Sequence, residues 1–219
     1  FGGDDGTNMR NDLWMYDIAK QAWDEPELKG EAPVARSRHT AMLVRWFRDE
    51  TQVEEDRLYV YGGVGTSTEE VFYLDIARRT WHKPRTIGEK PLPLLGHTGA
   101  HLCGSVWVFG GRDARRSYNS VWRLDSVSHE WLRPTASGTL PPPSSRHVMA
   151  TMGSRLLVAL GELPPDKVFL YDTEANAWLQ AAVSGPCKAP ALQRASSTLV
   201  GEELHVFGGI SGDDSKPTD

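Results

Sequence analysis

The 219-residue chain carries one short pattern four times: an aspartate followed six positions later by a tryptophan. The copies are Asp17 with Trp23, Asp75 with Trp81, Asp125 with Trp131, and Asp172 with Trp178. Each aspartate closes an alternating stretch: Leu13-Trp14-Met15-Tyr16, Val71-Phe72-Tyr73-Leu74, Val121-Trp122-Arg123-Leu124 and Val168-Phe169-Leu170-Tyr171. On an extended chain, residues two apart share a face, so these stretches read as half-buried strands. Repetition at a fixed offset implies units that bury their apolar faces against copies of themselves. Helical periodicity is missing throughout, so the fold class is all-β.

Two more features recur in the same register. His39, His97 and His147 follow the first three tryptophans, and Gln193-Arg194-Ala195 stands in that place after the fourth. A glycine pair closes an apolar run in Tyr61-Gly62-Gly63, Phe109-Gly110-Gly111 and Phe207-Gly208-Gly209, with Leu160-Gly161-Glu162 as a degenerate copy. Phe1-Gly2-Gly3 is a further copy, separated from its own strand. A unit therefore holds four short strands: one near the histidine, one ending at Gly-Gly, one ending at the aspartate and one carrying the tryptophan. Gly, Pro, Asn and Asp clusters bound each of them.

The repeated positions read as structural. The tryptophans are expected to wedge neighbouring units together, each burying on the order of 200 Å². The glycines allow positive φ where the chain leaves the second strand. The aspartates can accept hydrogen bonds from turn amides. The histidines can tie adjacent units, and because they occupy one position in three different units they should not converge on a metal.

Composition removes several functions. Lys and Arg total 24 against 29 Asp and Glu, a net charge of −5, so a basic nucleic-acid footprint is absent. The longest apolar runs, such as Leu156 to Leu160, are far too short to span a membrane. Two cysteines, Cys103 and Cys187, make no disulfide framework and point to a reducing, cytoplasmic setting. His97, His101 and Cys103 share a strand face, but a rise of about 3.3 Å per residue keeps the outer two from sharing a metal. No metal or cofactor site is expected. Gly63-Val64-Gly65 lacks the third glycine and the helix of a dinucleotide loop. Neither a Gly-x-Ser-x-Gly elbow nor a His-Glu-x-x-His motif is present.

Arg36-Ser37-Arg38-His39, Leu58-Tyr59-Val60-Tyr61-Gly62-Gly63, Leu74-Asp75 and Trp81 together resemble the kelch repeat, and the resemblance extends over nearly the whole chain. It implies a β-propeller of four-stranded antiparallel blades, the histidine-bearing strand innermost and the tryptophan-bearing strand outermost. It also implies a ring of six or seven blades, of which this chain would supply a segment: partial blades at 1–23 and 194–210 and whole ones at 36–81, 95–131 and 144–178. A closed four-bladed ring is the competing expectation, opposed by the redundancy of Phe1-Gly2-Gly3 and Phe207-Gly208-Gly209.

In such a blade, the loops after the second and fourth strands share one face. That face gathers 66–70, then Arg112, Arg115, Arg116 and Tyr118, and the inner-strand starts with Arg36, Arg38, Arg146 and Arg194. Guanidinium suits bidentate recognition of carboxylates, so the mouth is expected to take an acidic peptide segment of a protein partner. An alternative is that Arg38 and Arg146 make structural ion pairs. The opposite face carries an insertion around Trp46 and Phe47, two adjacent aromatics that form a second candidate contact. The resemblance implies a non-catalytic interaction scaffold in a cytoplasmic assembly. Its rivals are a recruiting region of a larger enzyme (a ubiquitin-ligase adaptor, or a phosphatase or methyltransferase fusion) and, with no supporting ligands, a galactose-oxidase-like copper enzyme.

Overall fold

Alternating apolar residues make strands along the chain, and no helix forms among the described residues. The computed structural model describes residues 1–48, 53–65, 70–187 and 189–211, with backbone alone at 46–48, 53 and 54. Three complete units follow one another. The first contains Thr40–Arg48, Val53–Tyr61, Val71–Asp75 and Thr80–His82. The second contains Thr98–Leu102, Ser105–Phe109, Val121–Asp125 and Glu130–Leu132. The third contains Val148–Met152, Arg155–Ala159, Val168–Asp172 and Ala177–Ala181. Within each unit, consecutive strands pair antiparallel. The first strands of successive units, and then Ser196–Val200, lie side by side around a common axis.

Each complete sheet has a fifth strand that the sequence pattern did not reveal. Two linker residues pair parallel to the outermost strand: Lys29–Gly30, Ile87–Gly88 and Ser137–Gly138. Their glycines lie at φ of +79, +81 and +81°. A Cβ there would stand 2.3, 2.3 and 2.2 Å from the carbonyl oxygens of Trp81, Trp131 and Trp178. Both the backbone conformation and the close approach demand glycine. The available signal was a glycine seven residues after each of the four repeat tryptophans, Gly30, Gly88, Gly138 and Gly185.

The apolar clusters lie in the seams between units. Met42, Val44, Tyr59 and Tyr61 of the first unit close on Val106, Val108, Trp122, Leu124 and Trp131 of the second. Ala100, Trp107 and Phe109 of the second close on Leu156, Val158, Phe169, Tyr171 and Trp178 of the third. Leu13, Met15 and Phe1 cover Val60, Phe72, Leu74 and Trp81 on the other side of the first unit. Aromatic residues just before three of the glycine pairs meet the next unit's indole: Phe1 on Trp81 at 5.1 Å, Tyr61 on Trp131 at 5.1 Å, Phe109 on Trp178 at 5.0 Å. Burying about 200 Å² of indole contributes roughly 5 kcal/mol before entropy is counted. Trp23 departs from the wedge expectation. It is 68% exposed, because among the described residues no unit covers that side of the Met15–Asp17 and Ala22–Asp24 pair.

The turns are built as the aspartates suggest. Asp17 accepts from the Lys20 amide, Asp75 from Arg78, Asp125 from Val127 and Ser128, and Asp172 from Glu174 and Ala175. One residue later in each turn the backbone is left-handed, at Gln21, Arg79, His129 and Asn176.

The degenerate glycine pair needs a one-residue correction. Val148 pairs with Ala159 as Thr40 does with Tyr61 and Thr98 with Phe109. The third copy is therefore Ala159-Leu160-Gly161, with Leu160 held at φ +63° where the others have glycine. At the chain's two ends, Met15–Asp17 pairs with Ala22–Asp24, and Ser196–Val200 with Glu203–Phe207. Among the described residues these pairs form separate sheets and do not join into a fourth complete one.

Candidate functional site: an arginine-lined axial mouth

The residue just before each inner-strand histidine position sets the geometry of the mouth. These residues are Arg38, Gly96, Arg146 and Arg194, at φ of +56, +66, +59 and +62°. Their backbones form a relay around the axis: the Gly96 amide donates to Arg38 O (3.3 Å), Arg146 to Gly96 O (2.7 Å) and Arg194 to Arg146 O (3.1 Å). A cavity of about 490 Å³ opens where they meet, lined by Arg38, Arg146, Arg194, Asp4 and the three histidines. The sequence-predicted Arg38, Arg146 and Arg194 are thus brought together.

The histidines bridge the seams. His97 sits with Nδ1 3.1 Å from Leu94 O and Nε2 3.2 Å from Tyr61 O, across the seam. Its ring lies in the space that a Cβ on Gly62 would take, 2.3 Å from Cε1. Burial pushes His97 down to about 4 against the opposing pull of those carbonyls. Burial and then the Arg36 charge take His39 to about 4, while burial and then His97 take His147 to about 3. All three are neutral at pH 7, so they add no positive charge to the mouth.

The arginines supply that charge. Arg146 is lowered by burial and then by Arg194, Arg112 and Arg38, with Glu162 acting in the opposite sense. Arg146 Nη1 donates to Gln193 Oε1 at 2.9 Å. Glu162 is already engaged: its carboxylate accepts from Ser117 Oγ (2.5 Å), the Ser145 amide (3.1 Å) and Ser145 Oγ (2.9 Å). Among the described residues, Arg38, Arg112, Arg146 and Arg194 form no ion pair. Arg38, Arg146 and Arg194 line the cavity with Arg112 nearby and Asp4 opposing them in charge, an arrangement whose guanidinium groups suit an anion.

The remaining candidates divide. Arg112 anchors beside the mouth through backbone bonds with Leu95. Arg115, Arg116 and Tyr118 belong to a loop organised by Asp113, which accepts from the Arg115 and Arg116 amides and the Tyr118 hydroxyl. Those bonds hold Asp113 down at about 2. Arg116 stacks 4.8 Å over the Tyr118 ring, and neither it nor the exposed Arg115 lines the mouth. Arg36 is a correction. It is fully buried, its Nε donating to Val34 O and its Nη1 to Gly62 O, with the guanidinium 5.4 Å from the Phe72 ring. It cannot meet a partner. The insertion is an extension of the Thr40–Arg48 and Val53–Tyr61 hairpin, in register to Arg48 opposite Val53. The side chains of Trp46 and Phe47 lie outside the described residues, as do residues 66–69 of the other loop. Sequence reasoning missed Gly96 and Glu162, although position, one residue before the histidine place, could have found Gly96.

A family model described as the KLHDC2/KLHL20/DRC7 Kelch-repeats domain matches residues 1–209. The chain belongs to the kelch-repeat family. Among curated proteins it is 26% identical to human Kelch domain-containing protein 10, over 97% of this chain and 50% of that protein. It is 28% identical to the Rab9 effector protein with kelch motifs of Xenopus laevis, over 84% of this chain and 52% of that protein. It is also 28% identical to serine/threonine-protein phosphatase BSL2 of Arabidopsis thaliana, over 92% of this chain and 20% of that protein. The kelch chain thus spans about half or less of the length of these relatives. Its repeated sheets are kelch blades, and kelch domains generally serve as interaction modules.

Proposed function

We propose that this kelch segment is a non-catalytic protein-binding module, acting in the cytoplasm, whose axial mouth holds an acidic segment of a protein partner. One observation carries the reading: arginine occupies three of four left-handed positions at the mouth, where Gly96 occupies the fourth. A left-handed non-glycine residue costs about 1–2 kcal/mol. Arginine kept there without an ion pair, and aimed at a shared cavity, suits a charge needed for recognition. The name of the Rab9 effector relative fits a protein partner for such a module. The free, exposed Cys103 and Cys187 fit a reducing compartment. A second reading, the recruiting region of a larger enzyme, is favoured by the match to phosphatase BSL2.

The test is the affinity of a fluorescein-labelled glutamate–serine peptide, read by anisotropy against a neutral serine–glycine control. Arg38→Gly, Arg146→Gly and Arg194→Gly together should weaken it by roughly tenfold or more. Each replacement should hold stability within about 1 kcal/mol or raise it, since glycine prefers this backbone. Unchanged affinity would overturn the mouth as the site and move attention to the extended hairpin carrying Trp46 and Phe47.

A further inference from the structure

The outer rims of the first two blades carry one arrangement with a single change between them. In the first blade, Lys83 follows Trp81 by two residues and lies 5.6 Å over the Phe72 ring. Two carboxylates close on its ammonium group, Glu70 at 2.6 Å and Glu31 at 3.8 Å. In the second blade, Arg133 follows Trp131 by two residues and lies 5.5 Å over the Trp122 ring. Strand register makes Trp122 the counterpart of Phe72, and the linker glycines make Glu89 the counterpart of Glu31. Ser120 stands at the place of Glu70, so Arg133 Nη2 donates to a hydroxyl, Ser120 Oγ, at 3.2 Å. Among the described residues, Arg133 forms no ion pair with Glu89 or with any other carboxylate. The third blade has Lys167 and Gln180 at these two places, so folding a blade does not require the pair.

Two adjoining concavities of about 750 and 410 Å³ open around Arg133 and share Glu89, Asn119 and Ser120 with it. Lys90 and Arg116 bring two further cations to the larger one, against the single carboxylate of Glu89. Exposed Leu92 lines the larger concavity and exposed Leu140 the smaller. The indole of Trp122 keeps water from one side of the guanidinium, which strengthens its hold on a carboxylate.

We propose that this rim groove is a second binding site, separate from the axial mouth, for an acidic segment of a protein partner. A glutamate of that segment stands to Arg133 as Glu70 stands to Lys83, and an adjacent leucine packs on Leu92. The first blade makes with its own chain the contact that the second blade offers to another. No residue that lines the mouth lines the groove, so the inference does not depend on the reading of the mouth.

The probe is the capped peptide Leu-Glu-Glu-Leu, titrated into the isotope-labelled whole chain. The NMR signals of the Arg133 Nε–H and the Trp122 indole N–H read binding at the rim apart from any at the mouth. Both signals should move along one saturating curve, and the Leu-Gln-Gln-Leu peptide should bind roughly tenfold or more weakly. Ser120→Glu should weaken the acidic peptide roughly tenfold or more, because the chain's own carboxylate then takes Arg133 as Glu70 takes Lys83. Ser120→Gln, as long as glutamate but uncharged, should keep the affinity within about twofold. Equal affinity for the two peptides, unmoved rim signals, or parental affinity in Ser120→Glu would each overturn the site. Equal weakening by Ser120→Gln would assign the effect to side-chain size and overturn it as well.

Discussion

At the scale of the residue, the seams are fitted pairs. Gly62 leaves room for the His97 ring, and Gly110 for His147, whose Cε1 would be 2.8 Å from an added Cβ. At the third seam the pair is inverted: Ala195 takes the histidine position, and Leu160, at the glycine position, packs against Ala195 and Leu192. The imidazole-over-glycine contact has become a leucine-over-alanine contact. The buried histidines also set a pH response. Their folded values of about 4, 4 and 3 lie below the ordinary 6.5, so the folded state binds fewer protons than the unfolded chain. Stability should be complete above pH 6.5 and fall as pH drops from there toward 4, with their NMR ring signals showing no titration between pH 8 and 5. Denaturant midpoints unchanged from pH 7 to 4.5 would contradict neutral burial. The repeated histidines were legible because they recur, but the Leu160–Ala195 inversion was not. A motif reading aligned Gly161 with the first glycine of the pair, and only strand register shows that a leucine accepts the left-handed backbone.

At the scale of the element, an outer strand is held by what lies across the seam. Trp131→Ala should cost about 3–5 kcal/mol, the usual range for emptying an enclosed aromatic site. Trp23→Ala, at an exposed position, should cost under about 0.5 kcal/mol, and chemical denaturation of both variants checks the contrast. The short fifth strands add a second pair. Gly138→Ala meets both a left-handed backbone and the Trp178 carbonyl, so it should lose more than the about 1–3 kcal/mol of a strained backbone alone. Gly185→Ala meets no neighbour and should lose less; equal losses would show that the linker strand contributes nothing. Four strands per blade could be read from alternation and turn residues. The fifth could not, because two residues carry no periodicity and its partner lies 40 to 51 residues away by chain in a parallel arrangement that local pattern cannot signal.

At the scale of the whole molecule, stability resides between blades, so it behaves as a sum of neighbour terms. Amide exchange should be slowest in Ser105–Phe109, which is flanked by seams on both sides, and fastest in Met15–Asp17 and Ser196–Val200. Uniform protection along the chain would contradict this. The arginine face was legible from the up-and-down order of strands, but burial of Arg36 was not, because Arg36 and Arg38 look alike in sequence and only Arg38 takes the left-handed backbone. The backbone relay through Arg38, Gly96, Arg146 and Arg194 carries one last consequence. Main-chain atoms alone join these four positions, and glycine serves at one of them as well as arginine does at the others. Arg146 is drawn on by a neighbour through its bond to Gln193, while the relay itself makes no use of the side chains of Arg38 and Arg194. The charge pattern of such a mouth can be rewritten letter by letter while the backbone relay stays in place.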